Sequence, residues 1–251
     1  MKQKRILMGM TISVEIVDAH VTEAAFDAVY SYFKYVDETF SVFKETSEIT
    51  KINKGLISAA DYSPDMREVF RLSEETKQAT NGYFDIMTPD GKCNPSGLVK
   101  GWAILNASKI LKTLGFKNFC IDAGGDIQVA GRNASGAVWT VGIRSPFNPE
   151  KEIVKVLSIE DRGVATSGTY IRGRHIYDPH AKSPAPDAII SLTVIGPDVY
   201  EADRYATAAF AMGAEGINFI EGLEGFEGYM IDGQGVATMT SGFDGFVKKD
   251  A

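Results

Sequence analysis

At 251 residues, 44% hydrophobic and 24% charged, the chain has the make-up of an ordinary globular protein with one large core or two small ones. Its formal charge of −7 leaves no basic footprint for nucleic acid or an anionic membrane; the cluster Lys2, Lys4 and Arg5 is too short to supply one. Cys93 and Cys120 stand far apart without CxxC spacing or a neighbouring histidine, which excludes a zinc motif and a disulfide framework and leaves a loop thiol and a strand thiol.

The N-terminus lacks an apolar run of signal-peptide length with a small-residue cleavage site, and no stretch approaches a membrane span. The expected location is therefore the cytoplasm, unless a leader has been removed. Alternation over 8–17 predicts a strand, and 22–43 a helix capped by Thr22. After a polar link, a second helix spans 63–80, with Ser63 at its cap and Pro64 at its first position. Residues 83–97, rich in Pro, Gly and Asp, read as loop, and 98–115 as a third helix closed by Gly115. Strands follow at 118–123, 126–131, 138–144, 153–159 and 188–196. Helices at 199–212 and 214–222 and strands around 227–232 and 235–240 complete the chain. Helices and strands come in blocks, which predicts an α+β fold rather than a doubly wound sheet.

Four stretches carry more polar and glycine residues than packing requires. In "GYFDIMTPDGKCNPSGLVKGWA" (82–103), Lys100 sits in the first turn of a helix against the macrodipole, and Gly101 weakens that helix by about 1 kcal/mol relative to alanine. The lysine is either solvated or shares its site with an anion. In "DAGGDI" (122–127), paired glycines indicate a bulge or a close approach by backbone or ligand, with a plain turn as the alternative. "VATSGTYIRGRHIYDP" (164–179) combines Thr166, Ser167 and Thr169 hydroxyls, two arginines and His175, a set suited to phosphate oxygens and proton transfer. His20 and His180 read as surface and loop residues. In "EADRYATAAFAMG" (201–213), Asp203 and Thr207 share a helix face four residues apart, either as a surface pair or as part of a site for a hard cation. No P-loop, GxGxxG or nucleophile elbow is present.

Taken in order, "MGM", "SVFKETSEI", "GYFDI", "SGLVKGWA", "DAGGDI", "VATSGTY", "HIYDP" and "EADRYATAAFAMG" resemble the FAD:protein FMN transferase (ApbE) family over nearly the whole chain, from Met8 to about Gly242. The resemblance implies one α+β unit over 1–251, with mixed or antiparallel sheets packed by helices and a cofactor site in a central cleft. It further implies a magnesium-dependent enzyme that moves the FMN half of FAD onto a threonine hydroxyl of an FMN-binding acceptor domain and releases AMP. By similarity, Asp203, Thr207 and the Gly97 carbonyl match metal ligands, His175 the base, and Lys100 the lysine near the cofactor. Met8, Phe43, Tyr83, Phe84, Asp85, Ser96 and Tyr177 match residues lining the FAD pocket, with Asn94, Thr166 and Ser167 assigned to it as well. Asn94 departs from the family's usual aspartate, and the segment between Asp85 and Asn94 is short. FAD hydrolysis to FMN and AMP, and FAD binding without turnover, are the alternatives.

Overall fold

In a computed structural model, described over residues 1–169, 176–184 and 188–249, the chain opens with a hairpin rather than a single strand. Strands β1 (Lys2–Leu7) and β2 (Met10–Ile16) are joined by Met8 and Gly9, whose φ angles of 52° and 70° form a two-residue turn that matches strand twist. β1 escapes sequence patterning because it is an edge strand: its charges Lys2, Lys4 and Arg5 guard an unpaired edge instead of alternating with core residues.

Helix α1 (Glu23–Phe40) buries Phe26, Val29, Tyr30, Phe33 and Val36 in one stripe, although the Thr22 side chain makes no capping bond. The expected polar link contains a short helix, α2 (Glu48–Asn53), capped by Ser47 Oγ accepting from Thr50 N. In α3 (Pro64–Ala79) Ser63 Oγ accepts from Met66 N, the capping read from sequence. Helix α4 (Ser96–Thr113) starts two residues before the predicted boundary, so Ser96 and Gly97 belong to its first turn rather than to a loop. Next come β3 (Phe119–Ala123), β4 (Asp126–Ala130), β5 (Trp139–Arg144), β6 (Ile153–Ile159) and β7 (Gly163–Gly168). Short strands β8 (Tyr177–Asp178) and β9 (Ser183–Pro184) precede β10 (Ile189–Gly196). The chain ends with α5 (Val199–Ala211), α6 (Gly216–Glu221), β11 (Glu227–Asp232) and β12 (Ala237–Met239). β7 went unread in sequence because hydroxyls and glycines mask its alternation.

Eight strands form one sheet in the order β1-β2-β3-β4-β7-β10-β11-β12, antiparallel at every pair, while β5–β6 and β8–β9 are separate two-stranded sheets. Mixed pairing is thus absent among the described residues. One face of the large sheet packs α1 and α4 on Ile12, Val14, Phe119 and Ile121, and α5 and α6 on Ala165, Leu192 and Val194. The other face packs Val129, Val164, Ile195 and Tyr229 against Trp139, Val141 and Leu157 of the β5–β6 hairpin. The result is three layers, with the polar cluster described next on the helical side.

Candidate active site

The site begins where α4 crosses α5. Asp198 Oδ1 accepts from Glu201 N at 2.9 Å, capping α5, and the Val199 N–H donates to Gln128 Oε1 on β4 at 2.9 Å. These bonds hold the start of α5 on the sheet. One turn in, Asp203 and Thr207 face Gly97 and Gly101 of α4, which are also four residues apart. A Cβ at Gly101 would lie 2.7 Å from both Asp203 Cβ and the Val199 carbonyl oxygen; one at Gly97 would lie 3.0 Å from Thr207 Cγ2 and 3.3 Å from the Phe84 ring. Glycine at both positions is therefore what lets the helices approach, and it offsets the helix propensity lost at Gly101.

Across this contact Thr207 Oγ1 donates to the Gly97 carbonyl at 3.2 Å, and the Gly101 N–H donates to Asp203 Oδ2 at 2.7 Å. Lys100 Nζ lies 2.5 Å from Asp126 Oδ2 and 3.7 Å from Asp203 Oδ1. Lys100 is thus mostly buried between carboxylates rather than solvated, and the anions it meets belong to the protein. Asp126 is 1% exposed. Its Oδ1 accepts from the Thr166 N–H at 3.1 Å, whereas Oδ2 meets Lys100 as an ion pair without an aligned hydrogen bond. Burial pushes the Asp203 carboxyl up to about 7; Lys100 opposes the shift and the Asp126 carboxylate adds to it. Carboxylate, hydroxyl and carbonyl make an all-oxygen donor set that suits a hard cation such as Mg²⁺, and the close helix approach at the two glycines brings them together.

Sequence reasoning named Gly97, Lys100, Asp203 and Thr207 through the family resemblance; the structure places them side by side, and Phe84 joins them, buried against Gly97. It missed Asp126, although "DAGGDI" was singled out. Gly124 and Gly125, at φ of 64° and 100°, form a two-residue hairpin turn between β3 and β4 rather than a bulge, and that turn delivers Asp126 to the helical face. The Gly-x-x-x-Gly spacing at 97–101 was a second available signal, since it marks close helix approach.

The other expected residues spread further. Thr166 and Ser167 are neighbours on β7 and so point to opposite faces. Ser167 shares Ala165's helical side, while Thr166 lies on the Val164 side, its hydroxyl 2.8 Å from that of Thr193. Only the Thr166 backbone serves the cluster. Asn94 Oδ1 accepts from Ser96 N at 3.2 Å and from Ser96 Oγ at 2.6 Å, so both side chains shape the start of α4. Asp85 pairs with Lys77 at 2.6 Å and accepts from Met87 N. Tyr83 packs its ring on His180, whose Nε2 meets the Asn81 carbonyl at 2.8 Å, a structural role for that histidine. Phe43 is 92% exposed, Met8 occupies the β1–β2 turn, and Tyr177 is half-buried on β8. His175 lies outside the described residues. Both cysteines are free, and burial pushes the Cys120 thiol up to about 12, leaving it inert.

The ApbE family model matches residues 8–90 and 87–230. Among curated proteins, the FAD:protein FMN transferase of Escherichia coli (strain K12) is 28% identical over 166 residues, covering 63% of this chain and 47% of that one. The FAD:protein FMN transferase of Vibrio cholerae is 26% identical over 211 residues, covering 73% and 63%. The chain thus spans about half the length of most of the first curated relatives it matches. Among solved structures, the flavin transferase ApbE from Vibrio cholerae superposes with a TM-score of 0.85 at 19% identity, covering 98% of both chains. The ApbE protein from Thermotoga maritima superposes with a TM-score of 0.87 at 19% identity, covering 99% of both. These likenesses establish the fold.

Proposed function

This chain belongs to the ApbE family, and from that premise we propose that it transfers the FMN moiety of FAD to a threonine hydroxyl of a partner flavoprotein, releasing AMP, with Mg²⁺ required. The observation that carries the proposal is the oxygen set of buried Asp203 with half-buried Thr207 and the Gly97 carbonyl, closed across two helices with Lys100 at its side. Curated relatives named for the same transfer support it.

In this reading the threonine oxygen bonds to the FMN phosphorus, the pyrophosphate P–O bond breaks, and AMP departs with the bridging oxygen. Asp203, Thr207 and the Gly97 carbonyl would hold Mg²⁺, which when bound supplies positive charge to phosphoryl oxygens. Lys100 places a fixed cation on the same side of the sheet. The start of α4, shaped by the Asn94–Ser96 bonds, would offer the positive end of the helix dipole to phosphate. His175 is the proposed base that accepts the threonine proton, a role resting on the resemblance alone. Phe84, Tyr83 and Met8 are proposed as the apolar lining for the flavin.

The test is incubation of the purified protein with FAD, Mg²⁺ and a candidate FMN-binding domain, followed by intact mass of the acceptor and AMP quantification. Acceptor mass rising by one FMN with equal AMP is the expected result, and Asp203→Ala should lose both while retaining native circular dichroism. AMP without a labelled acceptor identifies FAD hydrolysis instead, and FAD binding without AMP identifies a module without turnover.

A further inference from the structure

Two buried carboxylates flank Lys100, and they are not equivalent. Asp203 stands with a hydroxyl and a carbonyl in a set fit for a divalent cation, whereas Asp126 gives one oxygen to the Thr166 N–H and turns the other to Lys100. The ammonium lies 2.5 Å from Asp126 and 3.7 Å from Asp203, so it pairs with both but leans to Asp126, whose carboxyl is itself within hydrogen-bond reach of Asp203. A lysine on Asp203 would compete directly with a metal ion there, because both neutralise the same charge and repel each other.

We propose that Asp126 is a positioning residue: it holds the Lys100 ammonium away from Asp203 and so keeps that carboxylate available to Mg²⁺. The inference rests on the metal reading given above and adds to it a residue that acts through Lys100. Asp126 is well placed for this task. It is carried by β4 directly after the Gly124–Gly125 turn, is 1% exposed, and is fixed by the β7 backbone, so it cannot follow the lysine if the lysine moves. Thr166, whose side chain faces the opposite side of the sheet, enters the site only through this anchoring N–H.

The test is a double-mutant cycle on Mg²⁺ binding, measured calorimetrically on the full chain with the metal alone, with the thermal midpoint at each Mg²⁺ concentration as a second readout. Asp126→Asn keeps the Oδ1 acceptor for Thr166 N while removing the charge that holds Lys100. It should weaken Mg²⁺ binding by about tenfold, the lower end of what outer-shell changes cost a metal site. In a Lys100→Gln background the same Asp126→Asn change should alter affinity by less than about twofold, within the error of additivity, because no lysine remains to restrain. An equal loss in both backgrounds would reduce Asp126 to a source of negative charge and overturn the inference. So would unchanged Mg²⁺ affinity in Asp126→Asn alone. Absence of Mg²⁺ binding in the unmodified protein would overturn the metal reading and this inference together, whereas the first two outcomes leave the metal reading standing.

Discussion

Gly101 shows how one missing methyl sets the chemistry of its neighbours. Its absent Cβ makes room for the Asp203 Cβ and the Val199 carbonyl, and that close approach brings its N–H to Asp203 Oδ2. Alanine has the better helix propensity by about 1 kcal/mol, yet Gly101→Ala should destabilise the protein by about 1–3 kcal/mol in urea denaturation, since overpacking outweighs propensity here. A stabilised variant would show that the helices have room to part. Lys100 gives a parallel lesson. Read from sequence, Lys100 opposes the dipole in the first turn of a helix starting at 98; the helix in fact starts at Ser96, Lys100 falls in its second turn, and the two carboxylates that compensate the ammonium come from elements far along the chain.

The elements that place the site are two tight hairpins and a helix crossing. In the β1–β2 turn, Met8 sits at φ 52°, a left-handed conformation that asparagine or glycine adopts with less strain. Met8→Asn should therefore raise stability by about 1 kcal/mol. If the Met8 side chain lines the flavin pocket, the same substitution should weaken FAD binding in a fluorescence titration. Stability and affinity moving in opposite directions would mark the turn as strained for function, and both rising would remove Met8 from the pocket. The β3–β4 turn makes the opposite choice: glycine stands at both of its left-handed positions, and its product is the placement of Asp126.

At the scale of the whole molecule, the buried acid couples folding to pH and metal. Asp203 has a folded-state value of about 7 against an ordinary 3.8, so its neutral form is the one the metal-free fold favours. A raised value means that its contribution is fully present below 3.8 and is lost as pH rises through about 7. The metal-free protein should accordingly lose stability over that window. Bound Mg²⁺ keeps the carboxylate ionised, so the rise in thermal midpoint on adding Mg²⁺ should be larger at pH 8 than at pH 5. Differential scanning fluorimetry across a pH and Mg²⁺ grid checks this, and an equal rise at both pH values would separate the metal from Asp203.

By itself the amino-acid sequence determined the blocks of helix and strand, the Ser63 cap, the paired strands 227–232 and 235–240, and the shared face of Asp203 and Thr207. All of these depend on local spacing, which the helical and strand periods translate directly into direction. It also carried the family resemblance, because the motifs occur in order along the chain. Only the tertiary structure decided that β1 is an edge strand, that β7 threads between β4 and β10, and that Thr166 and Ser167 part to opposite faces of the sheet. It alone brought Asp126 to Lys100 and Lys100 to Asp203, across 26 and 103 residues of chain. No local spacing encodes those meetings. They follow from sheet order and from the closeness of two helices, and both are set by long-range packing.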